Sequence, residues 1–123
     1  MSLIDTPTLR SLTQAVNLTL LRQRLVSENI ANIDTPGYRT RDVDFTSQLR
    51  RAMSEGEAEG ASGQPVLAHV VRGLEERPDG NNVSIDRESL LMAQNQLQFQ
   101  AEVAVLRSEF SRLQLAINGG SSS

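Results

Sequence analysis

The sequence predicts a mainly α fold, in which two long terminal helices form an elongated, coiled-coil-like hairpin. Apolar residues recur at three- and four-residue spacing near both ends of the 123-residue chain, and this spacing places them on one face of a helix. Between these stretches lies a segment rich in Gly, Pro and acidic residues, a composition poor in strand formers. We therefore expect one domain, residues 1–123, with an irregular middle that contains at most a short β element.

The N-terminal helix is expected over residues 7–33. Thr6 is a suitable cap, and Pro7 is favoured at the first helical position. Thr19 and Gln23 interrupt an otherwise apolar seam. The seam consists of Leu9, Leu12, Val16, Val26, Ile30 and Ile33, and a second stripe of Leu18, Leu21 and Leu25 lies beside it. The apolar face is therefore wider than one partner helix can cover.

This helix is expected to end between Asp34 and Gly37. Pro36 disfavours a helical backbone at Thr35, and Gly37 tolerates the positive φ with which Tyr38 can turn away. The sequence thus predicts a sharp turn directly after the helix.

The middle segment is expected over residues 34–85. Phe45, Leu49 and Met53 have the four-residue spacing of a short helix. Residues 54–65 are small, acidic and Gly-rich, which predicts a flexible loop. Residues 65–72 are the one segment that we expect to form a strand, and residues 78–82 are typical of a turn.

The C-terminal helix is expected over residues 86–118, with Asp86 as its cap and Gly119-Gly120 as its stop. Its apolar residues follow heptad spacing, broken only by Gln96. This seam consists of Met92, Phe99, Val103, Leu106, Phe110, Leu113 and Ile117. The heptads fit a coiled coil within the chain, between chains, or both.

Composition excludes several functional classes. A formal net charge of −3 is not the footprint of a nucleic-acid-binding or anionic-membrane-binding protein. No apolar run reaches the length of a membrane span, so direct membrane insertion is not expected. Cysteine is absent and His69 is the only histidine, which argues against a metal site. We predict no catalytic, cofactor-binding or metal residues and no enzyme activity.

The first residues lack the basic and apolar regions of a cleaved signal peptide. The sequence therefore fits either a cytosolic protein or one exported without a cleaved signal.

The most informative segment is residues 27–39, where the first helix ends. Two asparagines three residues apart share one helical face at this exit. Eight residues of this segment form the pattern that is informative: Ser27, Asn29, Ile30, Ala31, Asn32, Thr35, Gly37 and Tyr38. This pattern resembles the signature of the bacterial flagellar rod and hook proteins. Residues 79–83, 86–88 and 95–100 are similar to the proximal-rod members of that family.

The resemblance implies a structural subunit of the flagellar proximal rod, which polymerises through its terminal helices into part of the drive shaft. It implies self-association in a helical assembly, and contacts with other rod proteins, the membrane-ring or rod-base adaptor and the type III export apparatus. It also implies a place in the basal body, in the periplasmic space, reached without a cleaved signal. The alternative is a cytosolic coiled-coil adaptor that forms a discrete oligomer.

Two alternatives remain open within the signature. Asn29 and Asn32 fit either buried clamps on a neighbouring backbone or ordinary helix-end residues. Tyr38 and Phe45 are either anchor residues in a subunit interface or aromatic residues that cap the chain's own small core. The predicted signature and subunit-contact residues are Asn29, Ile30, Ala31, Asn32, Thr35, Pro36, Gly37, Tyr38 and Phe45.

Overall fold

A computed structural model describes residues 6–56 and 68–121 of the chain. Its elements, in chain order, are α1 (Pro7–Ala31), β1 (Arg41–Asp42), α2 (Phe45–Gly56), β2 (His69–Val70) and α3 (Ile85–Ser121). The two terminal helices pack against each other in antiparallel orientation, since Thr19 contacts Glu102 and Gln23 contacts Asn95. The predicted mainly α fold, with long terminal helices and little β structure, is confirmed.

Helix α1 begins as its sequence predicts. The Thr6 hydroxyl accepts a hydrogen bond from the Leu9 amide at 3.1 Å, and Pro7 occupies the first turn. The helix ends at Ala31, two residues before the predicted end. Asn32 closes it, because its side-chain Nδ2 donates to the Glu28 carbonyl at 2.8 Å and satisfies a carbonyl of the last turn.

Helix α2 is the short helix that the middle segment predicts. Asp44 caps it, since its carboxylate accepts hydrogen bonds from the Ser47 amide at 3.3 Å and the Ser47 hydroxyl at 2.8 Å. The hydrogen bond from the Ser47 hydroxyl, followed by that from the amide, lowers the pKa of Asp44. The cap starts α2 at Phe45, with two residues between it and the end of β1.

The hydrophobic core lies between α1, α2 and the short sheet. Its centre consists of Leu18, Leu25 and Val43, with Leu21, Phe45, Leu49 and Ala68 packed around it. The second apolar stripe of α1, which the sequence sets beside the main seam, is therefore the stripe that builds the core.

The sheet has two strands of two residues each, paired antiparallel with Arg41 opposite Val70 and Asp42 opposite His69. The Val71 amide extends the pairing by donating to the Thr40 carbonyl at 2.9 Å. The strand predicted over residues 65–72 is thus limited to two residues among those described, and residues 65–67 lie outside the description. Of the loop predicted over residues 54–65, residues 54–56 belong to α2 and the rest lies outside the described residues.

Helix α3 differs from prediction at both ends. It begins at Ile85, because the Ser84 hydroxyl accepts a hydrogen bond from the Arg87 amide at 3.2 Å and serves as the cap in place of Asp86. It runs to Ser121 rather than stopping at residue 118. Glycine keeps its amide donor, so Gly119 lowers helix propensity by about 1 kcal/mol without interrupting the hydrogen-bond ladder. Across residues 6–56 and 68–121, no helix is both long and apolar enough to cross a membrane.

Candidate functional site

Asn29 is fully buried at the last turn of α1. Its Nδ2 donates to the Arg41 carbonyl at 2.9 Å, and its Oδ1 accepts from the Arg41 amide at 3.1 Å. The Tyr38 hydroxyl donates to the same Oδ1 at 3.0 Å. One side chain thus pairs with both backbone groups of a residue in β1, which fits the clamp interpretation rather than an ordinary helix end.

A second buried asparagine, Asn81, holds the segment that leaves α1. Its Nδ2 donates to the carbonyls of Asn32 at 2.9 Å and Thr35 at 2.8 Å. Its Oδ1 accepts from the Val83 amide at 2.8 Å. Asn81 therefore ties the exit of α1 to the chain just before α3.

A third asparagine, Asn82, completes the arrangement. Its Oδ1 accepts from the Thr40 amide at 2.7 Å, and its backbone carbonyl accepts from the Thr40 hydroxyl at 3.2 Å. Both residues are buried. We call Asn29, Asn81 and Asn82 the asparagine clamp. It connects the end of α1 and the nearby β1 to the start of α3, which lies more than 40 residues further along the chain.

Sequence reasoning predicted Asn29 as a candidate clamp, but it assigned Asn81 and Asn82 to a turn within a segment of family resemblance and gave their side chains no role. A signal was available, because two adjacent asparagines directly before a helix cap provide side-chain amides able to satisfy distant backbone groups. The local sequence pattern did not indicate which carbonyls would accept hydrogen bonds from those amides.

Gly37 adopts a φ of +76°, as the turn after α1 predicts. Its amide donates to the Asp79 carbonyl at 2.9 Å, which brings the two loops together. Gly80 has a φ of +87°, and a Cβ on it would lie 3.3 Å from the Gly37 Cα. The two loops approach so closely because glycine occupies both positions.

Tyr38 and Phe45 both have roles within the chain. Tyr38 is half-buried beside Asn29, and burial, followed by the charge of Glu28, raises the pKa of its phenol. Phe45 packs on the core of α1 and α2. Among the other signature residues, Ile30 and Asn32 are half-buried, whereas Ala31, Thr35 and Pro36 are exposed.

A network of four charged side chains lies beside the clamp. The Asp42 carboxylate accepts from Arg22 Nε at 3.2 Å and from an Arg87 guanidinium nitrogen at 2.8 Å. Arg87 also donates to Glu88 Oε1 at 2.7 Å. Glu88 is fully buried, and its Oε2 has no hydrogen-bond partner among the described residues. Sequence periodicity did not predict this network, because its members come from three elements.

The contact between α1 and α3 is polar along much of its length. Glu88, Asn95 and Glu102 recur every seven residues and are 0%, 3% and 9% exposed. We call these three residues the polar spine of α3. The Thr19 hydroxyl contacts both Glu102 carboxylate oxygens, at 2.7 and 3.0 Å.

The apolar seam predicted for α3 is only partly covered. Met92, Val103, Leu106 and Leu113 are half-buried, whereas Phe99 is 37%, Phe110 50% and Ile117 51% exposed. In the α1 seam, Leu9 and Val26 are buried, whereas Leu12, Val16 and Ile30 are half-buried. A coiled coil closed entirely within the chain therefore does not account for the α3 heptads.

The exposed residues of this seam, together with the half-buried Val103, form an apolar strip along one side of α3. We call Phe99, Val103, Phe110 and Ile117 the flank stripe. Phe99 and Val103 line a surface groove together with Gln100, Ala104 and Arg107. In the described part of the chain, no three His, Asp or Glu side chains are grouped so that they could hold a metal ion.

Comparisons with known proteins match this sequence to flagellar basal body rod proteins. The flagella basal body rod protein model matches residues 9–39, which include most of α1 and its exit. FlgB, a flagellar basal body rod protein, is 34% identical in Yersinia enterocolitica and 36% in Salmonella typhimurium, each over 91% of this chain and 94% of the relative. In Bacillus subtilis it is 31% identical over 92% of this chain and 95% of the relative. This similarity, across nearly the full length of both chains, shows that the chain belongs to the FlgB family of flagellar basal body rod proteins.

Proposed function

We propose that this structural rod subunit joins neighbouring subunits through the flank stripe of α3. The observation that carries the proposal is the exposure of Phe110 and Ile117, which are 50% and 51% exposed although both belong to the apolar seam of α3. Isolated exposed apolar residues are ordinary, but a strip at helical spacing is typical of a protein interface. Burying the exposed parts of Phe110 and Ile117 contributes on the order of 1 kcal/mol each.

The position of the strip along α3 supports the same proposal. Residues 114–119 are all exposed and carry two large apolar side chains, Leu115 and Ile117. The last turns of α3 therefore expose apolar side chains on more than one side of the helix. A rod subunit surrounded by others has neighbours to cover such surface, so assembly would bury apolar side chains of α3 that the single chain leaves exposed. Forces between subunits then pass through packed helices.

The direct test is a charge placed in the flank stripe. Phe110→Asp should abolish rod incorporation, because packing this face against a neighbouring subunit would bury an unpaired carboxylate, which costs on the order of several kcal/mol. Ser111→Asp is the matched control, since it adds the same charge at the adjacent exposed position. Motility and basal-body composition are measured in complemented cells. The monomer's helix content, from circular dichroism, should be unchanged in both variants. Normal rods with Phe110→Asp would exclude the flank stripe as a subunit contact.

The signature residues provide a second proposed contact. Ala31, Thr35 and Pro36 are exposed at the exit of α1, and the asparagine clamp holds their backbone in place. A rigid exposed turn presents the same surface in every subunit, as a repeating assembly requires. Pro36→Ser should lower incorporation while changing the unfolding free energy of the monomer by no more than about 1 kcal/mol. Incorporation equal to that of the parent would limit the subunit contact to the flank stripe.

We further propose that the partners are other rod proteins and the adaptor at the base of the rod or membrane ring, and that the subunit lies in the periplasmic space. Family membership supports this. The proposed route is the flagellar type III export apparatus, without cleavage. The intact mass of the protein recovered from basal bodies tests the route, since a shortened N-terminus would contradict it. The cytosolic coiled-coil adaptor gains no support, because the three relatives compared are all named as rod proteins.

A further inference from the structure

The packing of α3 on α1 does not follow hydrophobicity. The face of α3 that contacts α1 carries the polar spine and one buried apolar residue, Leu91, whereas the more apolar flank stripe remains largely outside the contact. Phe99 and Glu102 are three residues apart, which is about 60° around a helix of 3.6 residues per turn. A rotation of that size would bring Phe99 and Val103 onto α1 and turn Glu102 outward. Apolar burial alone favours the rotated arrangement.

The groups that oppose this rotation lie on α1. Thr19 is 2% exposed, and its hydroxyl contacts the Glu102 carboxylate. Gln98 Nε2 donates to the same carboxylate at 3.0 Å, and Asn95 Nδ2 lies 3.5 Å from Gln23 Oε1. Rotation would set Thr19 and Gln23 against aromatic and aliphatic side chains. These are the two residues that interrupt the apolar seam of α1.

We infer that Thr19 and Gln23, facing the polar spine, determine which face of α3 packs on α1 and thereby keep the flank stripe available to a neighbouring subunit. Buried polar residues at heptad spacing are known to select register and orientation at a cost in stability. The seven-residue spacing of Glu88, Asn95 and Glu102 has the same period. The face selection rests on this structure alone, and only its purpose rests on the proposed function.

The inference is tested by changing α1 and leaving α3 intact. Thr19→Val with Gln23→Leu removes the polar groups of α1 but changes no residue of the flank stripe. The matched control is Thr13→Val with Gln14→Leu, which makes the same replacements at exposed positions of the same helix. Because the chain has no cysteine, Val103→Cys provides a single thiol in the flank stripe. Its reaction rate with a small thiol reagent reports whether that stripe is covered.

The Thr19→Val, Gln23→Leu chain should remain helical, and its thiol should react about tenfold more slowly than in the parent, as expected for a side chain moved into a protected contact. The control should react at the parent rate. Thr19→Ser keeps the hydroxyl and should also react at the parent rate. A parent-like rate in the folded double variant would overturn the inference.

If the double variant does not fold, Gln23→Leu alone decides the question, since Gln23 is half-buried and its replacement is better tolerated. It should slow the thiol reaction about threefold, and no slowing would overturn the inference. The thiol measurement uses the isolated chain and is independent of rod assembly. Failure of the flank stripe as a subunit contact would instead appear in the Phe110→Asp experiment.

In complemented cells, the double variant should be folded but excluded from rods, although every residue of its flank stripe is present. Incorporation equal to that of the parent, together with a slowed thiol reaction, would overturn the second half of the inference, that face selection keeps the stripe available for assembly.

Discussion

Replacing Asn29 with alanine should be among the most destabilising single changes outside the apolar core. The side chain is fully buried. It makes three hydrogen bonds, two with the backbone of Arg41 and one with the Tyr38 hydroxyl, at 2.9 to 3.1 Å. Alanine has no polar group to make these hydrogen bonds, and it leaves a small void where the amide was.

The magnitude follows from those bonds. Each is worth about 0.5–1.5 kcal/mol net, and more where a buried partner is left unsatisfied, so Asn29→Ala should cost about 2–4 kcal/mol. The side chain of Arg41 is exposed, so water can reach part of its backbone and the lower half of that range is expected. A domain with a total stability of about 5–15 kcal/mol would lose a large fraction of it.

Urea unfolding of the isolated chain, followed by far-ultraviolet circular dichroism, measures this loss. Asn32→Ala is the matched control: Asn32 is half-buried and its side chain bonds only the Glu28 carbonyl and the exposed Thr35 hydroxyl. It should cost about 0.5–1.5 kcal/mol. Asn29→Asp keeps the acceptor but sets a carboxylate against the Arg41 carbonyl, so it should also destabilise. If Asn29→Ala cost no more than Asn32→Ala, the clamp would not contribute to stability as argued.

Three further predictions concern separate parts of the fold. Gly80→Ala should destabilise more than Gly37→Ala, each within about 1–3 kcal/mol; both positions have positive φ, but only at Gly80 would a Cβ lie close to another residue's backbone. Equal urea midpoints would contradict this. The lowered pKa of Asp44 means that its stabilisation of α2 is present above its unfolded-state pKa and lost as pH falls through its folded-state value. Asp44→Asn, which still caps the helix, should lack that pH dependence in circular dichroism, and a parent-like acid transition would refute the assignment. Leu25→Ala, at a core position 4% exposed, should cost about 2–5 kcal/mol in urea unfolding. Leu20→Ala, at 51% exposure on the same helix, should cost far less. Similar losses of unfolding free energy in the two variants would contradict the position of the core given above.

Features that depend on neighbours in sequence could be predicted from the sequence alone. Thr6 and Pro7 start α1 where expected, and Gly37 has the positive φ that the Pro36 turn requires. The position of Asn29 at the helix exit follows from the same local pattern. These features are set by backbone sterics and capping within one or two turns, so no distant contact can easily change them.

The partners of those residues could not be predicted in the same way. Asn81 reaches the carbonyls of Asn32 and Thr35 across 46 to 49 positions of chain. A turn-forming sequence shows that Asn81 is able to adopt its conformation, but not which backbone groups its amide will satisfy. That assignment depends on how the two loops approach each other, which the two glycines permit and the tertiary structure decides.

The orientation of α3 illustrates the same division. Heptad spacing correctly indicated that its apolar residues share a side of a long helix, because periodicity is a property of the helix itself. It did not reveal that Glu88, Asn95 and Glu102 would be buried instead, since their burial depends on Thr19, Gln23 and the Asp42 network opposite them. The sequence by itself therefore determined two amphipathic helices and the turn at the end of the first. Only the tertiary structure decided which face each presents to the other, because a buried polar group is stable where a complementary group meets it.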